Sequence, residues 1–121
     1  MHKVYKGDRV MSTLQDLIKK YASQYKEQVV EWRRYIHSHP ELSGKEKNTS
    51  LFIQKVLGEL GIPFVNDVSD YAVIGKIEGA QPGPVIALRA DIDALPIHET
   101  TGLPFASEND GVMHACGHDS H

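Results

Sequence analysis

Two short stretches hold residues whose types and spacing could do chemistry. The sequence ends in HACGHDSH, which contains its only cysteine, Cys116, with His114, His118 and His121. Four of the chain's eight His and Cys residues therefore fall in its last eight positions. Thiolate and imidazole are good zinc ligands, and in an extended segment His114, Cys116 and His118 share parity. Two of them at an i, i+2 spacing can reach one ion or an adjacent pair. Gly117 lets the backbone turn tightly between them. Asp119 is placed to orient a histidine from behind, or to cap a helix starting there. The bland alternatives are a buried structural cysteine with surface histidines, or an expression tag, although tags are unbroken runs of His. The clustering favours a metal site.

The second stretch is RADIDALP. Asp91 and Asp93 stand two apart, so in a strand their side chains point the same way. Two carboxylates held close repel unless one is protonated or a cation sits beside them. Arg89 shares their parity and offers the ordinary alternative, a structural ion-pair cluster. Site and structure stay equally open for this pair taken alone.

Both stretches need a scaffold. At 121 residues, 40% hydrophobic and 24% charged, the chain has the size and composition of one soluble globular domain. No apolar run approaches the roughly 18 residues of a membrane-spanning helix. MHKVYKGDRV lacks the apolar core of a secretory signal. A single cysteine makes no internal disulfide, and a cytoplasmic location is expected. Residues 1–60 carry eleven Lys/Arg against seven Asp/Glu, and residues 61–121 two against nine. An acidic half that ends in His and Cys suits cations better than phosphates, which argues against nucleic acid.

Residues 1–11 read as a leader, and residues 12–121 as the folded portion. STLQDLIKKYASQYKEQVVEWRRYIHSH predicts a helix with one buried face, through Leu14, Ile18, Tyr21, Tyr25, Val29 and beyond. Ser12 and Gln15 match a capping box, and Pro40 helps to end the helix. A second helix carries a Ser43–Glu46 capping box and an apolar stripe from Phe52 to Leu60. Gly61 supplies its left-handed stop, with Pro63 beyond. Asn48-Thr49-Ser50 matches a glycosylation acceptor but lies inside that helix, and is read as chance. PFVNDV and YAVIGKIEG are strand candidates, separated from a third, PVIALRADID, by the Gly-rich turn GAQPGP. The continuous apolar run from Val85 to Leu88 fits a strand buried on both faces. Helices followed by strands predict an α/β layered unit, with Asp91 and Asp93 emerging where ligands gather, at a strand's carboxyl end.

The order RRYIHSHPELS, RADIDALPI, HACGHDSH resembles the zinc-type amidohydrolases of the aminoacylase and carboxypeptidase superfamily, from about Leu14 to His121. The most similar branch holds hippurate hydrolases, N-acyl-amino-acid deacylases and auxin-conjugate hydrolases. The resemblance implies that Cys116 and His118 are ligands of a two-metal centre and that Asp93 orients a metal-bound group. Asp91 occupies the place where many relatives carry a histidine ligand. His114 and Asp119 are implied at most as supporting residues or further ligands, and HSHPELS as a structural feature in which His37 and His39 have no chemical role. Zinc is the expected metal, with manganese, cobalt or nickel as alternatives. The implied reaction is metal-assisted hydrolysis of an amide in N-acyl amino acids or small peptides. Its proton-transferring glutamate belongs to a Glu-Glu pair downstream of the Cys-Gly-His motif, which Glu99 and Glu108 do not match. The family's chains are longer and carry an inserted dimerisation domain. The chain is therefore expected to be an N-terminal portion of a homodimeric enzyme, inactive alone, with the early helices and strands of an incomplete mixed α/β sheet. A stand-alone metal-binding or interaction module is the competing expectation.

Overall fold

A computed structural model describes residues 13–121, and two helices come first. Helix α1 spans Leu14–Ser38 and helix α2 spans Lys47–Glu59. The chain divides into two compact units, Met1–Trp32 and Arg33–His121.

In the first unit α1 opens on a reciprocal cap. The Asp16 backbone N–H donates to Thr13 Oγ1 at 3.3 Å, and the Thr13 hydroxyl and backbone N–H donate to Asp16 Oδ2 at 2.9 and 3.1 Å. This is capping-box chemistry with a shorter carboxylate. The expected Ser12–Gln15 box involves Ser12, which lies outside the described residues, as does the 1–11 leader. The apolar stripe is where expected along the helix, but it is not buried. Leu14 is 74% exposed, and Ile18, Tyr21, Tyr25 and Val29 are each about half exposed or more. Periodicity shows which face a helix would bury, and supplies nothing to cover it.

In the second unit the end of α1 is buried at His37 and Ser38, followed by the fully buried Pro40. Tyr35 stacks between His39 and Phe52, at ring separations of 4.5 and 4.4 Å. Helix α2 starts without the predicted Ser43–Glu46 box, since its N-cap, Glu46, makes no side-chain cap bond. Glu41 takes the role from outside the helix. Its carboxylate accepts the backbone N–H groups of Asn48 and Thr49 at 3.1 and 2.8 Å, and both their side chains as well. A distant carboxylate with two acceptor oxygens satisfies two free donors at once, and its charge suits the positive end of the helix.

The stop is as predicted. Gly61 has φ of 68°, its N–H donates to Gly58 O at 3.0 Å, and that of Ile62 donates to Leu57 O at 2.9 Å. These two bonds define a Schellman motif. Strands β1 (Phe64–Val65) and β2 (Ile74–Gly75) then pair antiparallel, Phe64 opposite Gly75. Leu57 and Ile62 lie 3.4 Å from where a Gly75 side chain would begin, so the glycine admits a close approach of α2 to the hairpin.

PVIALRADID does not form the expected strand. Residues 84–93 adopt no regular structure, and Val85 and Leu88 are 96% and 95% exposed. A strand buried on both faces needs a ladder partner beside it and a layer on each side. The described residues provide neither. Regular pairing begins one residue later. Ala94 bridges Leu42 in parallel and Leu95 bridges Met113 antiparallel, with 2.9 and 3.0 Å bonds exchanged between Leu95 and Met113. Ala94, 3% exposed, is the buried apolar residue of a small, mostly polar core with Thr49, Ser50 and His114. Helices followed by sparse strand pairing keep the layered α/β character, in an incomplete form.

Candidate metal centre

The Leu95–Met113 bridge sets the two chemistry-bearing stretches side by side. Asp91 and Asp93 precede it on one segment, and His114 follows it on the other. Beyond His114 the chain enters a single 3-10 turn, Gly117–Ser120, with Cys116 at its N-cap. The Asp119 N–H donates to Cys116 O at 3.1 Å and the His121 N–H to His118 O at 3.0 Å. Asp119 lies inside the turn and does not cap it.

His118 sits between the paired aspartates. Its Nε2 is 3.6 Å from Asp91 Oδ2 and its Nδ1 is 3.4 Å from Asp93 Oδ1. At these separations the groups are close neighbours, farther apart than in good hydrogen bonds. Asp91 also pairs with Arg89, so the ordinary ion-pair alternative is realised for one of the two carboxylates. Cys116 is an exposed free thiol. The His118 and His121 rings stand 5.5 Å apart.

His114 lies beneath, 5% exposed, and neither ring nitrogen has a hydrogen-bond partner among the described residues. Burial lowers its pKa, against the opposing pull of the Asp119 and Asp93 carboxylates. A buried polar ring with both nitrogens unpartnered is costly, and such groups mark a place for water or a ligand.

Asp119 turns away from the aspartate pair. Its Oδ1 is 2.7 Å from His37 Nδ1, and its Oδ2 accepts from Arg33. The opposite His37 nitrogen, Nε2, is 3.2 Å from both oxygens of Glu99. Burial pushes the Asp119 carboxyl up, but the bonds and charges of His37 and Arg33 outweigh it and hold its pKa low. Glu99 is held low in the same way. Burial raises it, and the bonds from Thr101, the Ser107 N–H and His37 more than reverse that. Sequence reasoning gave His37 and Glu99 no part in this region. No local signal marks them, because their partners lie 62 to 82 positions away.

Thiolate, imidazole and carboxylate are the donor types a divalent transition metal takes. The residues present therefore fit such an ion in kind. Among the described residues, no three His, Cys, Asp or Glu side chains are arranged to hold one by themselves.

Known proteins resemble the chain over most of its length. Residues 87–121, which contain both stretches, match the sequence profile of Peptidase family M20/M25/M40. The chain is 46% identical over 104 residues to the N-acyl-L-amino acid amidohydrolase of Geobacillus stearothermophilus, covering 86% of this chain and 28% of that one. It is 52% identical over 99 residues to an N-acetyl-L-cysteine deacetylase of Bacillus subtilis, covering 82% and 24%. Among solved structures, the Bacillus subtilis YxeP protein, a dinuclear metal-binding peptidase of the M20 family, superposes with a TM-score of 0.78. It shares 49% identity, over 82% of this chain and 28% of that one. Over most of its length the chain is thus similar to part of proteins described as amidohydrolases, a deacetylase and an M20-family peptidase. Its relatives include amidohydrolases and a deacetylase, and the chain spans about a quarter of the length of the curated relatives it matches.

Proposed function

We propose that the chain contributes part of the active site of a metal-dependent amidohydrolase that acts on N-acyl amino acids or small peptides. Residues 12–121 form a portion of its catalytic domain. The observation that carries this reading is the convergence of two separate motifs on His118, flanked by Asp91 and Asp93 at 3.6 and 3.4 Å. The names of the amidohydrolase and deacetylase relatives support the substrate class.

Cys116 and His118 are the metal donors. Asp93, beside His118 Nδ1, orients the imidazole and fixes its tautomer, the usual task of a carboxylate behind a metal-bound histidine. Asp91 adds negative charge on the Nε2 side. His114 is a buried, uncharged ring with hydrogen-bonding capacity to spare next to the donors. The complete site takes two divalent ions, zinc first by its taste for Cys and His, with manganese, cobalt and nickel as alternatives. Bound there, a divalent ion supplies Lewis acidity toward the scissile carbonyl and toward water. Proton transfer to the leaving amine falls to a glutamate outside this sequence, so the chain alone is inactive. The complete protein is a cytoplasmic homodimer that handles small molecules, with no role at nucleic acid or membranes. Among the described residues, no helix is long and apolar enough to cross a membrane.

Zinc retained after dialysis tests the ligand assignment. Cys116→Ala and His118→Ala should each weaken retention by at least about tenfold, because a metal held by few donors loses much with each. Zinc content unchanged in both variants would refute the assignment.

A further inference from the structure

The segment HSHPELS has no part in the chemistry proposed above, yet its first histidine joins three regions of the chain. His37 is 3% exposed, and each ring nitrogen faces a carboxylate from a different segment. Nδ1 meets Asp119 at 2.7 Å, and Nε2 lies 3.2 Å from both oxygens of Glu99. The ring can donate to both sides at once only with both nitrogens protonated. Neither carboxylate is free to turn elsewhere. Asp119 also accepts from Arg33 Nε at 3.0 Å, and Glu99 accepts the Ser107 N–H at 2.6 Å. Phe105 stands edge-on to the His37 ring at 5.5 Å.

Asp119 follows His118 directly, inside the turn Gly117–Ser120. A single 3-10 turn has poor hydrogen-bond geometry and little stability of its own. An outside contact must therefore decide where it sits, and the clamp on Asp119 is that contact.

We propose that His37 is a positioning residue: through Asp119 it sets the placement of the 117–120 turn, so that His118 and Cys116 present their donors to a divalent cation. This inference rests on Cys116 and His118 being metal ligands. Arg33 and Glu99 act with His37, one steadying Asp119 and the other steadying the ring.

The test uses the chain with His37→Gln and Asp119→Asn, its helices checked by circular dichroism. Asp119 is only partly buried, so its isosteric variant serves should His37→Gln fail to fold. Hydrogen exchange at the Asp119 and His121 amides is measured without metal. Cobalt(II) binding is then followed through the thiolate-to-cobalt charge-transfer absorption. In each variant the two amides should exchange about tenfold faster, and cobalt should bind about 10- to 100-fold more weakly, as when a partner behind a metal ligand is lost. The double variant should be no weaker than the singles, because both act through one contact. Unchanged exchange would overturn the proposal. So would faster exchange with cobalt affinity within about twofold of the parent, which would make His37 a packing residue. A parent chain without a thiolate band that Cys116→Ala removes would sink the ligand assignment and the positioning role together. An intact parent band that is insensitive to both variants would sink the positioning role alone.

Discussion

Glu41 shows how much one side chain can organise. Its carboxylate caps α2 from six positions before the helix begins, taking two backbone N–H groups and two side chains. Glu41→Ala should destabilise the fold by about 1 kcal/mol, the usual loss for an N-terminal cap, read from urea unfolding. Burial raises the Glu41 pKa, but the bonds from Thr49 and Asn48 outweigh it, and the net shift is downward from 4.5. A carboxyl depressed in the folded state stabilises the fold above its unfolded pKa, and that contribution fades as pH falls through the folded value. The gap between parent and variant should therefore be full at pH 7 and should close below pH 4.5; a gap that widens in acid would contradict the assignment. At the same scale, Asp93→Asn in the complete protein should reduce turnover more than metal content, measured on the same preparation. The reverse pattern would make Asp93 a direct ligand. Asp91, Asp93, Cys116 and His118 were visible as candidates in the sequence because they are crowded into two short motifs. Glu41, His37 and Glu99 were not, because an ordinary Glu or His acquires its role from partners that only the folded chain brings near.

Elements were legible to the extent that their determinants are local. The end of α2 is written in Gly61 and the residues around it, and the structure stops the helix there with Gly61 left-handed. Gly61 has φ of 68° and open space where a side chain would go. Gly61→Ala should therefore cost only the backbone penalty of a left-handed residue, about 1–2 kcal/mol, visible as a lower thermal midpoint. Gly61→Asn should recover part of it, since asparagine tolerates that region. Equal midpoints for parent and alanine variant would mean that the helix ends some other way. The start of α2 was misread because Ser43 and Glu46 have the right spacing, while Glu41 offers better acceptors from farther off. PVIALRADID was misread for a different reason. Its apolar run carries the preference of a doubly buried strand, and a ladder is a property of several segments, none of which pairs with it here.

Among the described residues, many apolar side chains that would ordinarily form a core lie in water. Val85, Ile86 and Leu88 are each more than four-fifths exposed, beside a stretch of backbone without ladder partners. Such a segment is a template for pairing with another chain. The chain should self-associate as its concentration rises and should bind dyes that report apolar surface. Ile86→Lys with Leu88→Lys should suppress both effects, as followed by light scattering and dye fluorescence. Association that persists in that variant would place the sticky surface elsewhere. The sequence predicts a buried strand here, and the structure leaves these residues exposed and unpaired; cover is a matter of what surrounds a segment. Among the described residues this run holds the preference without neighbours that satisfy it.

The clamp on Asp119 also has a consequence in time. His37 and Asp119 are 82 positions apart, Arg33 and Asp119 86. Closing so long a loop costs chain entropy before any contact offsets it, whereas helix caps such as Thr13–Asp16 close over three positions. The helices should therefore form early and the donor-bearing turn late. Substitutions at His37 or Asp119 should then speed unfolding and leave the refolding rate nearly unchanged, so that the turn carrying Cys116 and His118 is the last part of the chain to settle and the first to come loose.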